Sequence, residues 1–398
     1  MTVRISKPEF NLREKLTELD KPSGLKGNEI LRSETSQEVR DLIGAGRKNL
    51  IINGAMSIAQ RATSSTDGGG YNTIDRIDYR VGGADENPTQ SQVDVASGTT
   101  PYTLGFRKAF RFTNGNQTGG ANAGDYLFLF YQVEGQDIVQ SGWDYKSGAS
   151  FITLSFWVKS SVAQNFYGYI RSRENTEQSH SYETGTLLAN TWTKVTKTFS
   201  GNSNIVMDND TGQGLGIYLA PFFGTDSTDN SKGTTAWSAY SHSTRTPDNN
   251  STWWTTNDAT FEITGLQLEV GNIATEFEHR SFGEELALCQ RYCQAYGSKN
   301  PGDIGGRIAH GTWSNGNMAR ATIHLPVQMR AIPSIHSYTA GHVLREAINW
   351  YGVASVGISE STKTHCTFIY SFSSSSGASA NEFATWGNGA GVVIEAEL

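Results

Sequence analysis

The sequence predicts a mainly β protein. An antiparallel jelly-roll sandwich forms its centre, with a short helical segment before it, a linking helix after it and a small β domain at the end. Three observations lead there. Of 398 residues, 43 are Gly and only 9 Pro, with 9 Trp, 16 Tyr and 18 Phe set among Ser, Thr and Asn. That profile suits short strands joined by polar turns rather than helical bundles. Ser150–Lys159 alternates cleanly, with Ile152, Leu154, Phe156 and Val158 on one face and Phe151, Thr153, Ser155, Trp157 and Lys159 on the other. Seven or more such segments, spaced by Gly, Asn and Asp turns, imply a sandwich.

The first segment differs in kind. Eighteen of residues 1–50 are charged, against 53 of the remaining 348, which sets a boundary near residue 48. Asn11 with Glu14 and Thr35 with Glu38 read as capping boxes. Leu12, Leu16 and Leu19 form the apolar stripe of a first helix, ended by Pro22 and Gly24. Val39, Leu42 and Ile43 form that of a second, stopped by Gly44 and Gly46. Isolated helices shorter than ~12–15 residues are marginal in water, so both need a partner surface. That surface is either the chain's own next domain or another protein.

From residue 49 to 280 the pattern is that of strands. NLIING (49–54) reads as a buried strand, followed by Gly105–Phe112, Tyr126–Val133, Ser150–Lys159, Thr191–Ser200, Gly214–Phe223 and Thr260–Val270. Residues 201–258 are poor in apolar side chains outside Leu215–Phe223, which predicts long surface loops. Trp237, Tyr240, Trp253 and Trp254 lie in that loop region. Exposed rings there would stack on sugar faces or form a protein contact; alternatively they pack the underside of their own loops.

Residues 281–298 interrupt the strands with a linking helix. Phe282, Leu286, Cys289, Cys293 and Tyr296 recur at spacings of 4, 3, 4 and 3, a heptad-like stripe, with two acids in the first turn where the helix dipole favours them. The stripe either lines the core of its own domain or packs around a symmetry axis with copies of itself. Residues 299–398 return to strands at Met318–Val327, Ser334–Tyr338, Ala354–Ile358, His365–Phe372 and Gly391–Ala396, a second, smaller β domain.

Charge and motifs exclude several functions. A net charge of −7 argues against nucleic-acid binding, which rests on Lys and Arg neutralising phosphates. No run approaches the ~18–20 apolar residues of a membrane span, so no membrane insertion is expected, and MTVRISKPEF lacks the apolar core of a signal peptide. Three cysteines make no disulfide framework, which points to a reducing site of synthesis. There is no GxSxG elbow, P-loop, HExxH or CxxC pair. Cys289 and Cys293 share a face without a histidine on it and read as small buried hydrophobes. Glycoside cleavage needs paired carboxylates. Asp75, Asp78, Glu134, Asp137, Glu262 and Glu269 are available, but no spacing selects two of them. No cofactor is expected; the sandwich loops leave a structural calcium ion open as an alternative, with ligands that sequence does not locate.

A set of segments in fixed order carries a resemblance: RKNLIINGAMSIAQR (47–61), YNTIDRIDY (71–79), YLFLFYQVEGQDI (126–138), TLSFWVKSS (153–161), TWTKVTKTFSG (191–201) and FEITGLQLEVGNIATEFEHRSFGEELALCQRYCQAY (261–296). Together they resemble the tail-fibre and receptor-binding proteins of tailed bacteriophages. PVQMRAIPSI (326–335) and VVIEAEL (392–398) resemble the closing domain of such fibres. Residues 8–50 resemble the head segment of fibres from marine podovirus-like phages. The central part resembles carbohydrate-binding modules of jelly-roll type.

The resemblance implies a homotrimeric, non-enzymatic virion protein. Residues 1–48 would dock on other phage tail proteins, the helix of residues 281–298 would line the trimer, and the β domains would meet a glycan or protein of the host surface. The family pattern carries no fixed catalytic set. Residues 201–258 are the least family-like stretch and hence the expected host-contact region. Two other readings stand beside this one: a purely structural tail or capsid connector, and a polysaccharide-degrading tailspike.

Overall fold

The computed structural model describes Arg32 and residues 48–297, 307–345, 349–387 and 389–398. The chain divides into two units, Met1–Lys48 and Asn49–Leu398. The stripes expected at Leu12, Leu16, Leu19, Val39, Leu42 and Ile43 lie outside the described residues.

The second unit begins with a jelly-roll sandwich of two six-stranded antiparallel sheets. The first sheet runs β1 (Ser64–Ser65), β3 (Thr89–Asp94), β4 (Lys108–Thr113), β12 (Thr260–Val270), β6 (Phe151–Ser160) and β9 (Thr193–Ser200). The second runs β11 (Ser238–Ala239), β8 (Gln178–Thr186), β7 (Asn165–Ser172), β10 (Gln213–Phe223), β5 (Tyr126–Glu134) and β2 (Asp78–Gly82). Two short helices, α1 (Thr100–Thr103) and α2 (Gly135–Val139), sit in the connections.

Alternation builds the core between the sheets. Ile152, Leu154, Phe156 and Val158 of β6 meet Leu127, Leu129 and Tyr131 of β5 and Leu215, Ile217 and Leu219 of β10, all buried in one cluster. Burying each such side chain contributes about 1.5–3 kcal/mol. β12 carries a bulge between Thr264 and Gln267 opposite β6. Gly265 occupies it at φ +65°, where a Cβ would come within 2.7 Å of the Phe106 ring; only glycine fits both the backbone and the space.

NLIING departs from the expected strand. Its side chains are buried and the Leu50 amide donates to the Leu268 carbonyl at 2.9 Å, but Asn53 at φ 61° turns the chain away from the sheet. Its side-chain amide holds that turn through the carbonyls of Ile58 and Asp75.

The linking helix is shorter than its sequence stripe. α3 spans Phe282–Gln290, opened by a capping box in which Ser281 and Glu284 exchange hydrogen bonds. It stops there because the next residues are claimed by a sheet: β13 (Cys293–Gly297) pairs with β22 (Gly391–Glu395). The Gln294 side-chain amide, reaching back, donates to the free Gln290 carbonyl at 2.9 Å. Within the last stretch, β13, β22 and β16 (Ser334–Thr339) form a three-stranded sheet. A seven-stranded sheet runs β18 (Asn349–Gly352), β17 (His342–Arg345), β21 (Phe383–Gly387), β14 (Ala309–Asn315), β15 (Met318–His324), β20 (His365–Ser371) and β19 (Ser355–Ser359). Trp313, Phe368, Tyr370, Trp386, Val392 and Ile394 fill the core between them.

Buried charge joins this C-terminal part to the sandwich. Arg61 bridges Glu395 at 2.8 Å and Glu397 at 3.0 Å, and Arg76 pairs with Glu397 while lying 3.6 Å above the Tyr292 ring. Glu134, at the end of β5, accepts from Arg291 at 2.8 Å and from the Tyr292 hydroxyl. The Gln60 side chain donates to the Cys293 carbonyl at 2.7 Å. The two β parts are therefore pinned by a desolvated network rather than by a flexible link.

Candidate functional site

The outer face of the second sheet is aromatic where an ordinary exposed sheet face is polar. In β5, YLFLFYQVE sends Leu127, Leu129, Tyr131 and Val133 into the core. The alternate residues Tyr126, Phe128 and Phe130 belong to a separate aromatic cluster with Tyr169 of β7, Tyr218 and Phe223 of β10, and Tyr240. The register aligns them: Tyr218 stands opposite Phe130 on one side and Tyr169 on the other. The Tyr169 and Tyr218 rings stack at 4.3 Å and 7°, and Tyr218 and Phe130 at 5.4 Å and 15°. Three rings thus run side by side across three strands.

Arginines flank this aromatic cluster. The Arg245 guanidinium lies 5.5 Å from the Phe128 ring centre and 5.1 Å from that of Phe223. Arg171 lies 3.4 Å from the centre of Tyr240, and Arg80 lies 5.7 Å from that of Phe130. Such placements are favourable because the ring face is electron-rich. Gly216 keeps the space beside the row open, since a Cβ there would meet the Tyr218 ring at 2.6 Å. The result is a pocket of about 260 Å³ lined by Phe128, Phe130, Tyr169, Tyr218 and Tyr240, with Gln132, Gln213, Leu398 and the arginines 80, 171, 173 and 245. Asp and Glu are missing from the lining.

Two polar atoms in the pocket wall lack partners among the described residues: Arg245 Nη1 and Gln132 Oε1. Arg245 is 5% exposed and Gln132 1%. The rest of each side chain is engaged. Arg245 Nε donates to the Tyr240 hydroxyl at 3.2 Å and its Nη2 reaches His242, while Gln132 Nε2 donates to the Tyr218 hydroxyl at 3.0 Å. A buried polar atom without a partner costs about 1–3 kcal/mol; these two leave one donor and one acceptor unmatched in residues of the pocket wall. Burial, together with the nearby Arg245 and Arg171, holds His242 below the usual histidine range, so it accepts from Arg245 as a neutral ring.

Of the four aromatics singled out by sequence, only Tyr240 joins this site. Trp237 is half-buried, donating to the Ser200 carbonyl at 2.7 Å and packing on His180. Trp253 and Trp254 correct the expectation of exposed contact rings, for both are fully buried. Trp253 donates to the Thr260 carbonyl and Trp254 to that of Gly120, each at 3.1 Å, and Trp254 stacks on Phe222. They nail the long loop to the sandwich.

The interface stripe is also redistributed. Cys289 and Cys293 are fully buried within the chain. Leu286 packs beside Cys289 against Ile52, Ile58 and Tyr292, and Tyr296 packs on the C-terminal core. The helix ends before Cys293, so the five residues do not share one face. Only Phe282, 65% exposed, points outward.

The candidate acids are likewise placed in structural contacts. Asp75 accepts from Gln60 and faces Arg61, Asp78 pairs with Arg80, Glu262 with Arg111 and Lys159, and Glu269 accepts from Thr275. Among the described residues no group of three or more His, Cys, Asp or Glu is arranged to hold a metal, and no helix is long and apolar enough to cross a membrane.

Sequence reading missed Phe128, Phe130, Tyr169, Tyr218, Gln132, Arg171 and Arg245. The signal was present in YLFLFYQVE, where Tyr126, Phe128 and Phe130 alternate with Leu127 and Leu129.

No protein-family model and no curated protein matches the chain. Among solved structures, the enzymatically active domain of tailspike protein 4 from bacteriophage CBA120 aligns at 9% identity and TM-score 0.30, covering 56% of this chain and 21% of that one. The CBM22-1 xylan-binding domain from Paenibacillus barcinonensis aligns at 10% identity and TM-score 0.26, covering 58% of this chain and all of that one. The N-terminal cellulose-binding domain of a Cellulomonas fimi β-1,4-glucanase aligns at 11% identity and TM-score 0.26, covering 54% and 97%. Similarity at this level carries no argument about activity.

Proposed function

We propose that this chain is a phage virion protein that adsorbs to its host by binding surface polysaccharide on the outer face of the second sheet. The observation that carries the binding half is the pocket over the Phe130–Tyr218–Tyr169 row, with its unpartnered Arg245 Nη1 and Gln132 Oε1. Sugars offer apolar C–H faces to rings and hydroxyls to guanidinium and amide groups; at this wall the half-buried Tyr240 is the ring within reach, seated on the buried row beside the guanidinium groups. The virion half rests on the segments that resemble tail-fibre sequences in the same order. In this reading residues 1–48 attach the protein to other tail proteins, the chain acts without catalysis, and copies assembled as a trimer raise a weak single-site affinity through avidity.

The test is adsorption of the purified chain to host cells before and after periodate oxidation of their surface glycans, with Tyr240→Ala as the site variant. Binding that survives both treatments removes the glycan reading. Release of reducing ends from host polysaccharide would replace adsorption with cleavage.

A further inference from the structure

Charge at the pocket selects among glycans. The four arginines of the lining, Arg80, Arg171, Arg173 and Arg245, share the wall with Leu398, the last residue of the sequence, and three of them pair with carboxylates at its margin. Asp78 binds Arg80 at 2.7 Å. Glu177 is shared by Arg171 and Arg173, the latter at 3.2 Å. Arg245 pairs with no carboxylate among the described residues, although it is 5% exposed. A guanidinium taken out of water without a counter-charge is costly, and it persists where the surroundings bind it another way or a ligand supplies the anion. Here the surroundings give ring faces, a tyrosine hydroxyl and a neutral histidine, none of them anionic.

Resting on the reading of this face as a glycan site, we propose that its ligand is an acidic polysaccharide whose carboxylate binds Arg245 Nη1. A ring hydroxyl of the same polymer would donate to Gln132 Oε1. A uronic-acid polymer carries both complementary groups: its carboxylate accepts from the guanidinium, and a hydroxyl donates to the amide oxygen. A neutral sugar satisfies Gln132 Oε1 and leaves the guanidinium charge unmatched. The net charge of −7 over the whole chain sharpens the point, because the arginine concentration here runs against the protein's own field.

The test uses the full chain in equilibrium binding with oligogalacturonate, alginate and hyaluronan oligosaccharides, and with carboxyl-reduced oligogalacturonate as the neutral control on the same backbone. The expected result is binding of at least one acidic polymer that weakens about tenfold or more on carboxyl reduction or in Arg245→Gln. Raising the salt should weaken it further, as screening of a partly open site requires. Arg80→Gln, at a side chain 53% exposed, should weaken it by a smaller factor. Equal binding of the acidic and carboxyl-reduced forms, unmoved by Arg245→Gln and Arg80→Gln, overturns the acidic assignment and leaves the glycan face standing. Failure of every acidic polymer to bind, with periodate-sensitive adsorption to cells intact, overturns it too. Loss of periodate sensitivity overturns the glycan reading itself.

Discussion

Tyr169 and Tyr218, directly opposite each other on neighbouring strands, stack ring on ring at 4.3 Å with their planes 7° apart. The pair is nearly inaccessible to solvent on a sheet face that lies outside the main core. Burial pushes both phenols up, so both stay neutral at physiological pH. Tyr218→Ala should cost about 3–5 kcal/mol of unfolding free energy, as for other buried aromatic truncations. Tyr218→Phe keeps the stack but leaves Gln132 Nε2 without its acceptor, at about 1 kcal/mol. Chemical denaturation of the two variants separates ring packing from the hydrogen bond.

Tyr240 and Trp254 come from the same loop region and should behave in opposite ways. Trp254 is fully buried on Phe222, so Trp254→Ala should destabilise by about 3–5 kcal/mol. Tyr240 is half-buried at the pocket rim under Arg171. Tyr240→Ala should cost only about 1 kcal/mol of stability while weakening polysaccharide binding about tenfold. Thermal unfolding and binding measured on the same preparations check the contrast.

The network between sandwich and C-terminal part should fail asymmetrically. Removing one member of a buried pair strands the other, so Glu397→Gln, which leaves Arg61 and Arg76 short of charge, should cost about 3–5 kcal/mol. The pH dependence follows from Glu395 and Glu134. Burial pushes the Glu395 carboxyl up, but His336 and Arg61 outweigh it and hold it below its usual range. For Glu134, Arg291 and Tyr292 likewise outweigh burial. Depressed carboxyls stabilise above their unfolded value and lose that contribution as pH falls through the folded one. Stability should therefore drop on acidification below about pH 4, read by unfolding at stepped pH.

Asp78 has the opposite sign. Burial pushes its carboxyl up to about 6 despite Arg80, so the folded state holds the proton more tightly than the unfolded chain. Its contribution is full below the ordinary carboxylate value and declines as pH rises through about 6. Asp78→Asn should flatten the stability profile between roughly pH 4 and 6, read by unfolding at stepped pH.

The three thiols should be silent in the folded protein. Burial raises all of them, Cys366 to about 11, and the thiolate is the reactive form. Ellman's reagent should label none natively and three after denaturation. Native labelling of Cys289 would mean that α3 leaves its place, and of Cys293 that β13 leaves its sheet.

What could be read from sequence follows from which signals are local. β6 and β12 announced themselves because one face of each is continuously apolar: Ile152, Leu154, Phe156 and Val158 need no partner to be recognised. β7 and β8 were missed, since Tyr167, Gly168, Tyr169, His180 and Ser181 mix ring, glycine and polar residues on both faces, and their burial depends on neighbours from elsewhere in the chain. α3 was overextended because CQRYCQAY has helical spacing, while the strand that claims Cys293–Gly297 lies about a hundred residues later. The site was least legible of all. Phe130, Tyr169, Tyr218 and Arg245 meet only through register across three strands and a returning loop, and Trp254 looked more exposed than any of them.

Hydrogen exchange of the full chain, with and without saturating host surface polysaccharide, locates the contact without assuming it. Slowed exchange concentrated in Tyr126–Glu134, Asn165–Ser172, Gln213–Phe223 and the segment around Tyr240–Arg245 is the predicted result. Protection confined to the C-terminal strands, or to the opposite sheet around Trp157 and Trp192, would contradict it and move host contact elsewhere on the molecule.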